Sequence, residues 1–261
     1  QSAHFAVSNA DHHSAVAAAE KTGCFTGAGG IHGEGAFKGC TSLVSVIAGR
    51  NNQKGYSNDA SGALLWNSGT ATYVCFIPVN LTSYTIPANV TKLYSSALAN
   101  VKLNSISVAE GNTAFSTRDG VLYSANGKTL VLYPGGKTDT SYVVPAAVQV
   151  LASGSFARAE KLKALWLTGE PIEFTGDVFG GSAEMAETGG SGGVSLNLWY
   201  PENIGSWEGY SQEMGYFFVD NISMCPYLLY TAGQDDAITV LIDKSPFVRT
   251  GSIRFFLILR L

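Results

Sequence analysis

Histidine and cysteine are the residues whose spacing would most readily indicate a metal site, and neither is arranged for one. The chain has four histidines, two of which are adjacent at His12 and His13. A zinc site needs several ligands to converge, and adjacent residues on an extended chain point to opposite sides. The four cysteines are well separated and form no CxxC pair: Cys24, Cys40, Cys75 and Cys225. The sequence therefore predicts no metal site and no cofactor.

Catalytic groups are equally hard to assemble from the sequence. The segment GGSGG at 189–193 lacks the strand–turn–helix setting that exposes a nucleophilic serine in hydrolases, and it is interpreted as a linker. Paired carboxylates for glycoside hydrolysis come from distant strands, so spacing alone does not exclude them. Candidate acidic residues in or near the aromatic C-terminal region are Glu184, Glu187, Asp235 and Asp236, the last two in a sequence typical of a polar turn. We expect a protein without enzymatic activity.

Composition narrows the class of protein further. The 261 residues are 46% hydrophobic and only 14% charged, and the net charge of -4 includes no long run of one sign. Without a basic stripe to neutralise phosphates, nucleic acid is excluded as a partner. Without an apolar run of 18 or more residues, membrane insertion is not expected. The 30 glycines, with many Ser, Thr, Val and Tyr, favour strands and turns.

An internal repeat organises the middle of the chain. Setting residues 62–93 against 120–151 at an offset of 58 aligns Gly62 with Gly120 and Tyr84 with Tyr142. Both copies predict a β-hairpin, near 62–77 and 120–134. In the second, Asn126-Gly127 predicts a two-residue turn with positive φ at both positions. That turn would place Tyr123 opposite Leu130 and Val121 opposite Leu132.

The first hairpin has Asn67-Ser68-Gly69 between its strands, which suits a three-residue loop with Gly69 in the left-handed region. It is expected to be one residue longer than the second hairpin, with Cys75 at the position of Leu132. Cys40 aligns with Ala159. Both cysteines are therefore interpreted as small buried hydrophobic residues, with disulfide bonding as the alternative. Cys24 and Cys225 have no counterpart in the repeat and stay unassigned.

A shorter apolar pattern runs between the hairpins. After Phe37 and after Phe156 the next apolar positions fall six and nine residues later, and the copy that starts at Leu98 is one residue tighter. Stacked units would bury these side chains in equivalent interior positions, which predicts a β-rich repeat solenoid; a β-sandwich with coincidental self-similarity is the alternative. The predicted repeat core is Phe37, Leu43, Val46, Leu98, Leu103, Ile106, Phe156, Leu162 and Leu165.

The ordered motifs VxxLxxxxFxxxxxLxxLxL, DGVLYSxNGKTLVLYPxGK and SYVVP resemble the BspA-type (Treponema pallidum-like) leucine-rich repeats of secreted and surface-exposed bacterial proteins. The likeness covers roughly residues 31–170 and is most specific between 112 and 167. It implies a right-handed leucine-rich-repeat-type solenoid with β-hairpin inserts. It also implies an extracellular or cell-surface location and a binding role without chemistry.

The flanks complete the predicted organisation. Residues 1–30, with an alanine-rich helical stretch at 14–21, are expected to cap a solenoid at 31–182. Residues 194–261 are expected to form an aromatic β-rich C-terminal cap or small domain, ending in a closing strand at 254–261. Four rings in turn-like sequence there could stack on a ligand, or alternatively pack inside the cap: Trp199, Tyr200, Trp207 and Tyr210.

The predicted function is a non-enzymatic extracellular recognition or adhesion module. Its ligand would be a host or matrix protein or a glycan, of unknown identity, bound on the solenoid face or the cap. A structural spacer within a larger cell-surface protein is the alternative. A glycan-active enzyme is the least favoured.

Overall fold

The computed structural model describes residues 3–7, 36–37, 40, 42–48, 55–179, 196–202, 207, 222–231, 238–243 and 255–259. In the first half of the chain the strands are β1 (Ala3–Val7), β2 (Leu43–Ala48), β3 (Tyr56–Asn58), β4 (Leu64–Asn67), β5 (Thr72–Phe76), β6 (Ser83–Ile86), β7 (Lys92–Leu93), β8 (Ser105–Val108), β9 (Phe115–Arg118), β10 (Val121–Ser124) and β11 (Thr129–Leu132). In the second half they are β12 (Ser141–Val144), β13 (Val150–Leu151), β14 (Ala164–Leu167), β15 (Glu173–Phe174), β16 (Leu196–Pro201), β17 (Ile222–Thr231), β18 (Ile238–Asp243) and β19 (Phe255–Leu259). The short helix α1 spans Ser95–Ala99. The predicted helix at 14–21 and Cys24 lie outside the described residues.

The chain divides into two compact units. Unit 1 comprises Gln1–Lys137, Leu151–Ala159 and Phe174–Gly180, and unit 2 comprises Thr138–Val150, Glu160–Glu173 and Gly181–Leu261. Within the residues that the structure describes, no helix is long and apolar enough to cross a membrane.

Parallel strand pairs at roughly regular sequence spacing define the fold. In unit 1, β6 pairs with β8, which joins Ser83 to Ser105. In unit 2, β12 pairs with β14 and joins Ser141 to Ala164, and β14 pairs with β16. Parallel neighbours separated by a coil of chain arise when successive repeats stack, whereas a sandwich is built from antiparallel neighbours. The fold is a β-rich repeat solenoid of the leucine-rich-repeat type with hairpin inserts, as the sequence predicts.

The nine predicted repeat-core residues all occupy buried positions, with between 0% and 5% of their surfaces exposed. In three coils, the turn that follows the leading core residue, which is Phe37, Leu98 or Phe156, contains the same backbone hydrogen bond. The Cys40 N–H donates to Phe37 O at 3.1 Å, the Val101 N–H to Leu98 O at 3.4 Å, and the Ala159 N–H to Phe156 O at 3.0 Å. One local geometry therefore recurs along the chain.

The next coil lies against Phe156 at Val178 and Phe179. The Phe156 N–H donates to Val178 O at 2.9 Å, and the Phe156 and Phe179 ring centroids lie 5.8 Å apart. Gly154 and Gly176 both have positive φ, at 72° and 64°. The segment 171–179 thus continues the repeat even though its sequence has diverged.

The two-residue turn of the second hairpin is not where the sequence placed it. Asn126 does not have positive φ, because among the described non-glycine residues only Asp119 does. At Asn126-Gly127 the chain forms a longer loop, in which the Gly127 N–H donates to Ser124 O at 2.9 Å and Gly127 alone has positive φ. The turn with positive φ at both residues is Asp119-Gly120, with φ of 53° and 73°, and it joins β9 to β10. An Asp-Gly pair fits that turn as well as Asn-Gly does.

A β-bulge changes the register of the second hairpin. Tyr123 lies opposite Leu130, which confirms that predicted pair. Leu122, and not Val121, lies opposite Leu132, because Val131 is an extra residue in β11. The prediction for Val121 was wrong: it pairs with Arg118 of β9.

The first hairpin has the same bulge, and its strands pair for two more positions beyond it. Leu64 lies opposite Phe76 and Leu65 opposite Val74, so Cys75 is the extra residue. Gly69 has positive φ as predicted, but the loop between Asn67 and Thr72 contains four residues, not three. This hairpin is two residues longer than the second, and Cys75 corresponds to Val131 rather than to Leu132. Cys40 and Cys75 are both buried and carry free thiols.

Both faces of the hairpins are covered, which explains their excess of apolar residues. In the first hairpin, Leu64 packs in the cluster that contains Phe37, while Leu65 packs in the cluster that contains Leu98. In the second, Leu122 joins the Leu98 cluster too, and Tyr123 on the opposite face is also buried. Each hairpin is therefore inserted into the core of the repeat.

The parallel sheet of unit 2 extends into the region predicted as a cap from residue 194. β16 pairs in parallel with β14 and β17 pairs in parallel with β16, and only β18 and β19 are antiparallel additions. The sequence signal was small: Ala164-Leu165-Trp166-Leu167 and Asn197-Leu198-Trp199-Tyr200 share a Leu-Trp pair. The expected closing strand is present as β19.

Candidate functional site

The described residues contain no group of three His, Cys, Asp or Glu side chains that could hold a metal ion. Most of the histidines and carboxylates that the sequence offers as candidates for chemistry lie outside the described residues. His12, His13 and His32 lie outside the described residues, as do the carboxylates at 184, 187, 235 and 236.

Trp199 packs in the sheet of unit 2. It lies in register between Trp166 of β14 and Cys225 of β17. The Trp199 and Trp166 rings stack with centroids 4.7 Å apart and planes at 12°, and only 8% of the Trp199 surface is exposed. Tyr227 joins this cluster and donates its hydroxyl to Leu167 O. Trp199 thus has the packing role that the sequence offered as its alternative.

Trp207 is fully buried, and its indole Nε1–H donates to Gly169 O at 2.9 Å. Its ring lies 5.5 Å from the ring of Tyr200, which is only partly buried. A fully buried ring cannot stack on a ligand, so the expected ligand-binding role of Trp207 is replaced by packing. Tyr210 lies outside the described residues.

A partly exposed group of stacked rings lies in unit 1, on the first hairpin sheet. Three rings there form a row, which we call the aromatic row: Trp66 on β4, Tyr73 on β5 and Tyr94 just after β7. Successive ring centroids are 5.2 Å apart, with interplanar angles of 34° and 32°. Such distances and offsets are typical of aromatic pairs that attract each other.

Strand pairing places these rings side by side. Tyr56 of β3 lies opposite Trp66, and Trp66 lies opposite Tyr73. A hydrogen bond from the Tyr94 N–H to Val74 O, at 3.1 Å, holds Tyr94 next to β5. The inner edges of the three rings pack against the Phe37 cluster, while their outer parts remain accessible to solvent.

Tyr56 is buried and lies next to Trp66, at one end of the row. Burial, together with the nearby Cys75 thiol and Tyr94 hydroxyl, raises the pKa of the Tyr56 phenol well above its ordinary value. The phenol is therefore neutral at physiological pH. Burial alone raises the pKa of the Cys75 thiol to about 12, so this thiol is neutral as well. The site beneath the row is apolar and uncharged.

The second hairpin sheet has the same backbone but no aromatic row. The positions of Trp66, Tyr73 and Tyr94 are taken there by Ser124, Thr129 and Ala152. Sequence reasoning missed this because it searched for rings in the most aromatic segment, after residue 194. Aligning the two copies would have found the row, since it consists of the aromatic residues that the second copy lacks.

Comparison with models of known protein families gives no match, and comparison with curated protein sequences gives none either. Among solved structures, the pneumococcal vaccine antigen PcpA is 28% identical over 54% of this chain and 32% of that chain, with a TM-score of 0.37. A leucine-rich repeat protein from Eubacterium ventriosum ATCC 27560 is 18% identical over 66% and 52%, with a TM-score of 0.43. A leucine rich cell surface protein from Faecalibacterium prausnitzii A2-165 is 17% identical over 77% and 57%, with a TM-score of 0.38.

The chain thus spans between about a third and somewhat over half of the length of these proteins. Because all three TM-scores are below 0.5, the assignment of the fold rests on the chain's own strand register and burial. By that register and burial, it is a β-rich repeat solenoid.

Proposed function

We propose that this chain is a non-enzymatic recognition module that acts outside a bacterial cell and binds a protein or glycan through the aromatic row. The observation that carries the proposal is the difference between the two hairpins. Large apolar rings that lie partly in water cost solubility, and a repeat that folds with Ser124, Thr129 and Ala152 has no need of Trp66, Tyr73 and Tyr94. Aromatic anchors are the residues that most often carry binding energy at interfaces.

The cell-surface location belongs to the same proposal. It is supported by the resemblance of the 112–167 motifs to BspA-type repeats of surface-exposed bacterial proteins.

A binding screen with matched variants tests the proposal. The purified chain is applied to a glycan array and to a panel of extracellular-matrix proteins. The test variant carries Trp66→Ser, Tyr73→Thr and Tyr94→Ala, which are the residues of the second copy. We expect at least one ligand to bind the parent chain and to lose at least about thirtyfold in affinity with this variant.

Two controls define what the result means. Ile47→Ser removes a large apolar residue that is 55% exposed and lies outside the row, and it is expected to leave binding unchanged. Tyr200→Ser tests the C-terminal surface predicted from the sequence. If the triple variant folds and binds as well as the parent chain while Tyr200→Ser does not, the row is not the site.

A spacer function is the second candidate, and one observation favours it. The outward positions of β6 and β8 carry only small hydroxyl residues, Ser83, Thr85, Ser105 and Ser107, all of them exposed. A polar, patch-free face suits a solvated spacer. Failure of every ligand in the screen would favour this function over recognition.

A further inference from the structure

The aromatic row ends beside a lysine. β7 runs parallel to β5 and places Lys92 in register with Tyr73. Residues paired in this way project from the same face of a sheet, and Tyr94, two positions later, shares that face. Along the row, Trp66 and Tyr73 are therefore followed by Lys92 on the neighbouring strand and by Tyr94 just after it.

Lys92 is exposed and is not neutralised locally. Within the described residues it has no ion-pair partner, and the four strands of this sheet, β3, β4, β5 and β7, contain no Asp or Glu. The chain as a whole has a net charge of -4. The surface around Lys92, a cation without a carboxylate in its sheet, therefore differs from the average surface of the protein. A ligand with a negative group would find its counter-charge here.

The lysine also distinguishes the two copies. The residue 58 positions after Lys92 is Val150. The first copy therefore differs from the second at four positions of one sheet face, with three rings and one cation in place of Ser124, Thr129, Ala152 and Val150. The folding of the second copy shows that the backbone requires none of the four.

Resting on the proposed function, we propose that the aromatic row and Lys92 bind a polysaccharide that contains uronic acid. The C–H faces of a pyranose ring are apolar and stack on the electron-rich faces of aromatic side chains. Two of the three rings are tyrosines, whose hydroxyls can donate to and accept from sugar hydroxyls. The carboxylate of the uronic acid would pair with the Lys92 ammonium group.

The ligand class follows from this mixture of groups. A purely apolar partner would leave the Lys92 ammonium group facing it without a partner, which is unfavourable when that group is desolvated. A neutral sugar would use the rings and leave the lysine unused. A uronic acid satisfies the rings and the charge together.

The test uses oligogalacturonate and its fully methyl-esterified form, which keeps the ring geometry but removes the charge. Binding to the full chain is measured by calorimetry at low and high salt. We expect the acid to bind more tightly than the ester, and salt to weaken only the acid. Lys92→Gln should lower affinity for the acid by about threefold to fivefold and leave the ester unchanged.

The control variant is Lys128→Gln, which removes an equal charge at an exposed position of the second hairpin. It should not alter binding. Equal affinity for acid and ester, both lost with Trp66→Ser, would overturn the role of Lys92 while leaving recognition through the row intact. Absence of binding to either oligosaccharide by the folded parent chain would overturn the uronate proposal, and the broader ligand screen then decides the proposed function separately.

Discussion

The two hairpin sheets of unit 1 share one backbone plan and differ in what they present to solvent. Each has a bulge in its last hairpin strand, at Cys75 and at Val131. Each receives a backbone bond from the following turn, from the Tyr94 N–H to Val74 O at 3.1 Å and from the Ala152 N–H to Leu130 O at 3.0 Å. Only the first carries the aromatic row of Trp66, Tyr73 and Tyr94.

This difference separates the requirements of folding from those of binding. Positions that are buried in both copies hold apolar residues, because their exclusion from water stabilises the fold. Positions that are aromatic in one copy and small in the other are free of that requirement. The second copy therefore serves as an internal control for the first. Variants that exchange residues between the copies can test whether a position is needed for folding or for binding.

The largest expected effect is at Gly136, in the loop that follows the second hairpin. A Cβ there would lie 2.2 Å from Asn104 Oδ1 and 2.8 Å from Leu103 O, which accepts the Gly136 N–H. The first copy has Val79 and Asn80 in the corresponding loop, so the close approach belongs to the second copy alone. We expect Gly136→Ala to lower the free energy of unfolding by about 3 kcal/mol in urea denaturation.

The control for this prediction is Gly127→Ala in the same hairpin. A Cβ at Gly127 would meet nothing within 4 Å, and only the positive φ of 70° opposes the change. Its cost should be about 1 kcal/mol. Equal costs at Gly127 and Gly136 would mean that the loop can move away from Leu103 and Asn104.

Asn112, which precedes the second hairpin sheet, should have the next largest effect. Its Nδ2 donates to Pro87 O and Val90 O, both at 2.8 Å, and its Oδ1 accepts from the Ala114 and Phe115 N–H groups. Asn112→Ala leaves partly buried backbone groups without partners, which should cost about 2 kcal/mol in thermal or urea unfolding.

Asn112→Asp separates the two halves of this network, because it keeps both accepted bonds and loses both donated ones. It should fall between the parent chain and Asn112→Ala. Asn58→Ala is the comparison in the first sheet, where the side chain is exposed although it bonds to Val46 O and the Ala48 N–H. A greater loss at Asn58 than at Asn112 would contradict the importance of burial here.

Cys75→Val gives the first bulge the residue of the second and should change the response to alkali. Burial raises the pKa of the Cys75 thiol from 9.0 to about 12, so the folded state favours the neutral thiol. The resulting stability is complete below pH 9 and is lost as pH rises towards 12, because the unfolded chain releases the proton first.

The measurement is the free energy of unfolding at pH 8 and at pH 10.5 for both proteins. The parent chain should lose about 2 kcal/mol more than Cys75→Val over this interval. The buried Tyr84 and Tyr227, whose pKa values do not depend on Cys75, are present in both proteins and cancel in the difference. An identical pH dependence would show that the bulge admits water to the thiol.

The smallest effect is expected at Asp119, the non-glycine residue of the Asp-Gly turn. Its φ of 53° is tolerated by Asp and Asn, whose side chains bond locally, and less well by Ala. Asp119→Asn should be neutral within error, and Asp119→Ala should cost about 1 kcal/mol. Moving the test to Asn126→Ala, where φ is not positive, should show no such backbone penalty.

Much of the fold could be predicted from the sequence because repetition makes a weak pattern detectable. The positions of Phe37, Leu98 and Phe156 follow from apolar spacing, since every stacked unit must bury the same face. The pairing of Tyr123 with Leu130 follows from the hairpin. The bulge at Val131 does not, because inserting one residue in a strand leaves the alternation of apolar residues almost unchanged in a hairpin that is apolar on both faces.

The candidate site could be predicted only in kind. Aromatic anchors were expected, but composition pointed to Trp199 and Trp207, where the structure buries the rings against Trp166 and Gly169. Whether a side chain is exposed depends on which elements pack over it, and those elements are often distant in sequence. For Trp199 the neighbour in register is 33 residues away.

The sequence by itself determined the repeat, the interior residues and the existence of two hairpins, because these depend on periodicity and on local turn chemistry. Tertiary structure alone decided which Gly-containing pair forms the two-residue turn, which residue bulges, and which rings meet solvent. Those outcomes depend on strand register across the sheet, where Trp66, Tyr73 and Lys92 become neighbours. Local sequence does not contain that register, because the long-range pairing of strands sets it.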